Sequence, residues 1–180
     1  SEKAMDIRAK LDAAGITISA IGSPIGKIAI DDDFEAHKMV LRRTCETARI
    51  LGATRIRMFS FRVPKGEYEQ HRDKVFAQMG EMLDIAEEYG ILLCHENEKG
   101  IYGDTAERCL DVLEACGGKL RAVFDPANFI QCGVDTLKAY DLLEEYIEYF
   151  HIKDALYNSA EVVPAGQGEG NLVEILKKFD

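Results

Sequence analysis

The chain is short of basic charge: 22 Lys and Arg stand against 32 Asp and Glu over 180 residues, a formal net charge of −10. A protein whose main partner is a phosphate backbone carries a basic face, so this balance argues against nucleic-acid binding. Paired cysteines are also missing. Cys45, Cys94, Cys109, Cys116 and Cys132 are an odd set with no Cys-x-x-Cys spacing, placed inside apolar helix or strand patterns. They read as buried free thiols in a reducing cytoplasm. No apolar run approaches the roughly 20 residues that cross a bilayer. The opening Ser1-Glu2-Lys3-Ala4-Met5 lacks the charged-then-apolar plan of a signal peptide. A soluble cytoplasmic protein without a membrane partner is expected. No strand followed by Gly-x-Gly-x-x-Gly opens the chain, so the dinucleotide-binding fingerprint is missing too. Linkers and low-complexity segments are lacking, and residues 1–180 are expected to form one domain.

What is present is a rhythm of helix, glycine and strand. Helical spacing covers residues 4–14, 34–51, 68–89, 105–116, 134–146 and 172–179. Strand-like apolar runs cover 16–21, 55–59, 91–95, 120–124 and 149–152. Gly15, Gly52, Gly90 and Gly117 stand just past helices, where a left-handed residue ends the last turn. Successive strands fall about 30–38 residues apart, the length of one βαβ step. The strands alternate little, as expected when helices cover a parallel sheet. With 47% hydrophobic residues the core is sizeable. A doubly wound sheet and a (β/α)8 barrel both fit this rhythm. Polar residues at nearly every strand end (Ser23, Ser60 and Arg62, Glu96, Asp125 and Asn128, His151 and Lys153) fit a barrel mouth better. About five βα units are visible where a full barrel has eight and about 250 residues. A partial barrel, with strands missing at both ends, is therefore expected.

Three strand ends carry metal-seeking side chains: Glu96, Asp125 and His151. Two carboxylates and an imidazole suit one divalent ion such as Mn²⁺, Mg²⁺, Co²⁺ or Zn²⁺. The plainer reading makes each a helix N-cap or a rim ion pair. Asp125 is most open to it, because Pro126 suits the first turn of a helix. His95-Glu96 lacks the second His of a zinc-protease helix, since position 99 is Lys. Strand neighbours point to opposite faces. Glu96 shares its face with Cys94 and Leu92, which leaves His95 to pack between strand and helix. Lys153 shares a face with His151 and is a candidate for an anionic or polyhydroxy substrate, its alternative being an ion pair with Asp154. Arg62 and Lys27 could add donors or lie on the surface. Gly166-Gln167-Gly168-Glu169-Gly170 lacks the lysine and hydroxyl of a phosphate loop, and reads as a flexible loop before the last helix.

Taken in order, Leu93-Cys94-His95-Glu96-Asn97-Glu98, Phe124-Asp125-Pro126-Ala127-Asn128, Phe150-His151-Ile152-Lys153-Asp154 and Pro164-Ala165-Gly166-Gln167-Gly168-Glu169-Gly170 resemble the xylose isomerase-like sugar phosphate isomerase/epimerase superfamily of TIM barrels. The resemblance covers most of the chain. It implies a divalent metal held by Glu96, Asp125 and His151, with a further family Glu on a later strand. It also implies that Glu96 is ligand and acid/base together, acting through a metal-stabilised cis-enediolate on a small carbohydrate. Asn128, Lys153 and Arg62 are the expected substrate contacts, and a homo-oligomer is compatible with this picture. Family epimerases usually place His three residues after the Asp, where this chain has Asn128. Rival expectations are a metal-dependent lyase or dehydratase of a keto-polyol or cyclic hydroxyketone, and an inactive fragment or binding module. Apurinic endonuclease chemistry is disfavoured by the acidic balance and by the lack of a multi-metal set of histidines.

Overall fold

The apolar runs become five parallel strands in a computed structural model that describes residues 2–179. In chain order the elements are α1 (Glu2–Ala13), β1 (Ile21–Gly22), α2 (Phe34–Leu51), β2 (Arg55–Met58), α3 (Tyr68–Glu88), β3 (Leu92–Glu96) and α4 (Ala106–Ala115). There follow β4 (Arg121–Phe124), α5 (Pro126–Gln131), α6 (Thr136–Leu143), a 3₁₀ turn (Glu144–Tyr146) and β5 (Ile147–Phe150). A short antiparallel pair, β6 (Asp154–Ala155) and β7 (Val162–Val163), precedes α7 (Leu172–Phe179). The parallel strands lie in sequential order β1-β2-β3-β4-β5. A doubly wound sheet reverses its strand order midway, whereas a β/α barrel does not. The topology is that of a barrel wall.

Local signals explain the boundaries. Asp33 caps α2 by accepting from the Ala36 amide, and Gly52 closes it at φ +75°. Gly15, Gly90 and Gly117 also take positive φ, as expected for helix stops. The first strand is shorter than expected. Ile21 pairs with Ile56, so residues before Ala20 lie past the start of β2, outside the ladder. Residues 126–131 form a helix that apolar periodicity is too short to reveal.

One face of the sheet is sealed by helices. Ile56, Met58, Leu93, Ala122, Phe124 and Ile147 pack with Leu41, Ala48, Val75, Met79, Met82, Val112 and Leu113 in one core. The opposite face carries Arg55, Arg57, Cys94, Glu96 and Arg121, the interior of the barrel. Phe124 fixes the site end of this layer. Its ring centroid lies 5.1 Å from Phe129, 6.1 Å from Tyr140 and 5.7 Å from Phe150, which ties β4 to α5, α6 and β5. Burying each such ring stabilises the fold by roughly 1.5–3 kcal/mol, so the loop after β4 starts from a rigid base. Between Ala122 and Val123 the register with β5 shifts by a bulge. Glu148 is thereby left out of the ladder, and it reaches Arg55 at 2.6 Å and Arg121 at 3.6 Å.

All five cysteines are free; three are buried, while Cys116 and Cys132 are half-buried. Burial pushes the Cys45 thiol up to about 11 and Cys94 up to about 12, which keeps both protonated and unreactive. Among the described residues, no helix is long and apolar enough to cross a membrane.

Candidate metal centre

Glu96 ends β3, Asp125 follows β4 and His151 follows β5, so three adjacent parallel strands deliver their ends to one rim. One oxygen or nitrogen from each lies within 4.8 Å of the others. His151 Nδ1 is 2.9 Å from Glu96 Oε1 and 3.8 Å from Asp125 Oδ2. The His151 backbone amide donates to the Phe124 carbonyl at 3.0 Å, which sets the depth of the ring. Both carboxylates are almost fully buried, Glu96 at 6% and Asp125 at 1% exposure.

Asp125 is an N-cap and a member of this cluster at once. Its Oδ1 accepts from the Asn128 amide at 2.9 Å, opening α5 with Pro126 in the first turn. That leaves Oδ2 for the cluster and for Lys153, whose Nζ is 3.3 Å away. The capping reading open in the sequence is therefore realised by one oxygen, while the other faces the cluster. Asn97 locks the rim by a reciprocal pair: its Nδ2 donates to the Asp125 carbonyl and its Oδ1 accepts the Asp125 amide, both at 3.0 Å.

Asn128 and Lys153 join the same cluster. Asn128 Nδ2 donates to the Asn97 carbonyl at 2.9 Å and to Glu96 Oε1 at 3.3 Å, while Lys153 Nζ donates to Asn128 Oδ1 at 2.6 Å. Lys153 thus turns to Asp125 and Asn128 rather than to Asp154. Arg62 does not come to the cluster. Its side chain is exposed, and its backbone bridges Ala29 and Ile101 in the loop beyond β2. Lys27 reaches Glu98 at 2.7 Å over the face of Phe59.

Arg57, not among the residues expected at the site, also reaches the cluster. Its Nε stands 3.1 Å from Glu96 Oε2, and one terminal nitrogen donates to the Ser23 carbonyl at 3.0 Å. The signal was available, because Ile56 and Met58 are the apolar partners of a period-2 strand that turns Arg55 and Arg57 inward.

Burial pushes the Glu96 carboxyl up, but the His151 hydrogen bond and charge, with Arg57 and Lys153, outweigh it and hold Glu96 below the usual range. Asp125 goes the other way: burial, helped by the Glu96 charge, raises it against the Asn128 amide and Lys153. Two buried like-charged carboxylates facing one imidazole make a site that a cation relieves. Oxygen and imidazole donors suit a divalent metal of the hard or borderline kind, so the residues present fit the group.

The loop 164–170 is not the free segment its glycines suggest. Asp154, 1% exposed, accepts from the amides of Gly166 and Gly168 with Oδ2, each at 2.9 Å, and of Gly170 with Oδ1 at 2.8 Å.

His95 packs behind the site, as its strand position requires. Its Nε2 lies 2.9 Å from Ser60 Oγ, which also accepts the Gly103 amide at 2.8 Å. The single Ser60 proton is then available to a neutral imidazole. Burial drives the His95 pKa down to about 4. The unfolded chain binds this proton more readily, near pH 6.5. Stability from His95 is therefore present above pH 6.5 and is lost as pH falls toward 4, by at most about 3 kcal/mol. Urea unfolding of the metal-free protein should weaken more steeply between pH 6.5 and 4.5 than that of His95→Gln; parallel pH profiles would contradict this assignment.

Comparison with known proteins agrees with the geometry. In structure the chain is similar to a D-tagatose 3-epimerase-like protein, at 21% identity and TM-score 0.82, covering 98% of this chain and 71% of that one. The probable 3-DHS dehydratase AsbF of petrobactin synthesis from Bacillus anthracis matches at 18% identity and TM-score 0.82, with the same coverage. The IolI protein with a bound zinc atom matches at 18% identity and TM-score 0.80, covering 98% of this chain and 69% of that one. No curated protein sequence matches significantly. The profile of one family spans residues 1–180. With the sequential parallel sheet, this places the chain in the xylose isomerase-like TIM barrel family.

Proposed function

We propose that this protein is a metal-dependent isomerase or epimerase of a small sugar or sugar phosphate, working by proton transfer at a carbon next to a carbonyl. The observation that carries the reading is the meeting of Glu96, Asp125 and His151 within 4.8 Å at the mouth of a parallel barrel wall. These three would hold one divalent ion, and the family pattern adds a further glutamate as fourth ligand. When bound, the ion supplies positive charge for the carbonyl and neighbouring hydroxyl oxygens of the substrate.

The side chains divide the remaining work. Glu96 Oε1 faces His151 and Asn128, whereas Oε2 faces Arg57. Oε1 would then be the ligand atom, and Oε2, beside Arg57, would take and return the substrate proton. Glu96 is kept ionised by its cationic neighbours, the state a base requires. Lys153, 35% exposed, is the substrate-facing donor, and Asn128, its amide spent on Asn97 and Glu96, holds Lys153 in place beside the substrate. Arg62 stands apart from the cluster and is not part of this proposal.

The test is solvent deuterium incorporation into candidate ketoses and aldoses by the metal-loaded protein. Glu96→Gln should lower it by at least about a hundredfold. Undiminished incorporation would remove Glu96 from the role. A dehydratase is the second reading, favoured by Asn128 standing where family epimerases have His. Loss of water from the substrate, seen by product analysis, would select it.

A further inference from the structure

Arg57 raises a problem that the metal reading does not solve. Its guanidinium is a fixed cation beside a metal ligand, with Nε 3.1 Å from Glu96 Oε2. A like charge so close weakens the binding of any metal cation. The side chain is nevertheless held in place. The Ser23 carbonyl accepts from it at 3.0 Å, Ser23 Oγ donates back to the Arg57 carbonyl at 2.7 Å, and the Phe59 ring lies 4.7 Å from the guanidinium carbon. Despite this anchoring, Arg57 Nε is a buried donor with no aligned acceptor among the described residues. Buried donors in folded proteins nearly always find a partner.

Among the described residues the carboxylate beside Arg57 Nε is Glu96, whose Oε2 lies 3.1 Å away but out of line with the N–H, and the others nearby are engaged elsewhere. Glu148 is engaged by Arg55 and Arg121, and Glu98 by Lys27. Glu96 and Asp125, the carboxylates beside Arg57 and Lys153, would balance a divalent ion, so with the ion bound these two cations would be the excess charge at the mouth among the described residues. Even one more carboxylate on the metal would leave a net positive site.

From this we infer that Arg57 binds a carboxylate of the substrate, so that the site takes a hydroxy or keto acid of the sugar type rather than a neutral sugar. The inference rests on the metal-dependent reading above and narrows its substrate class. A guanidinium suits this task because its planar fork matches a carboxylate.

The test uses the intact protein and two kinds of titration. Mn²⁺ alone is titrated first, then D-gluconate and sorbitol into the Mn²⁺-loaded protein. Wild type should bind gluconate at least about tenfold more tightly than sorbitol, one step of about 1.4 kcal/mol. Arg57→Gln should erase that preference while binding Mn²⁺ as well as wild type or better. Arg57→Lys should restore part of the preference, since it keeps the charge without the fork. A preference that survives in R57Q, or none in wild type, overturns the inference and leaves the metal site standing. Weaker Mn²⁺ binding in R57Q also overturns it, by making Arg57 a support for the metal site. If wild type binds no Mn²⁺, both readings fall together.

Discussion

Asp125→Asn is expected to abolish metal binding while leaving the fold intact. Asp125 uses its two oxygens differently: Oδ1 accepts the Asn128 amide at 2.9 Å and Oδ2 faces His151 and Lys153. Asparagine is as good an N-cap as aspartate, so α5 keeps its start. The charge is what disappears. Burial raises the Asp125 proton affinity, so holding the carboxylate ionised without a metal already opposes folding. Its loss should change the stability of the metal-free protein by less than about 1 kcal/mol, the Lys153 contact being partly exposed and weak. Metal affinity should fall by at least about a hundredfold, the upper end of what even indirect partners of a ligand contribute. Asp125→Ala should lose the same affinity and also about 1 kcal/mol of stability with the cap. Calorimetric titration with Mn²⁺, paired with urea unfolding of both variants, separates the two jobs. Mn²⁺ affinity preserved in D125N would mean that Asp125 serves only the helix.

The contrast between these two jobs shows what was legible in the sequence. Strand-end position and residue type were enough to bring Glu96, Asp125 and His151 together, because a parallel wall sends every strand end to one rim. The helices 34–51 and 172–179 were also legible, marked by spacing and, for the first, by Gly52. Less visible was anything decided by a long side chain crossing the barrel. Arg57 reaches Glu96 from the neighbouring strand, and strand spacing does not say how far a guanidinium extends. Arg62 shows the opposite case: it follows β2 closely in sequence, yet its backbone bridges Ala29 and Ile101 and its side chain is exposed, apart from the cluster. The bulge that turns Glu148 inward was hidden as well, since it belongs to the pairing of β4 with β5 and not to either strand alone.

Asp154→Ala should be the most destabilising single change considered. The carboxylate takes the amides of Gly166, Gly168 and Gly170, and Oδ1 also accepts from its neighbour Ala155 at 3.0 Å. Gly166 is exposed enough to turn to water, but Gly170 and Ala155 are buried. Each buried donor left unpaired costs about 1–3 kcal/mol, so a loss of about 3–5 kcal/mol is expected. Asparagine is no remedy, because its amide would set donors against donors on one side. The glycines answer to the same carboxylate: a Cβ on Gly170 would sit 2.7 Å from Asp154 Oδ1 and 3.1 Å from Pro126 Cβ. Loop, carboxylate and α5 are thus one unit, with Ala155 buried against Ala127 and Ile130. Since Lys153 precedes Asp154 and Asn128 lies on α5, loosening this unit should disturb these proposed substrate contacts more than Glu96 and His151, the proposed ligands at the ends of β3 and β5. D154A should therefore keep Mn²⁺ affinity within about tenfold while losing deuterium exchange, and it should become open to a glutamate-specific protease at Glu161 and Glu169. A loop still resistant to cleavage in D154A would show that something other than Asp154 holds it down.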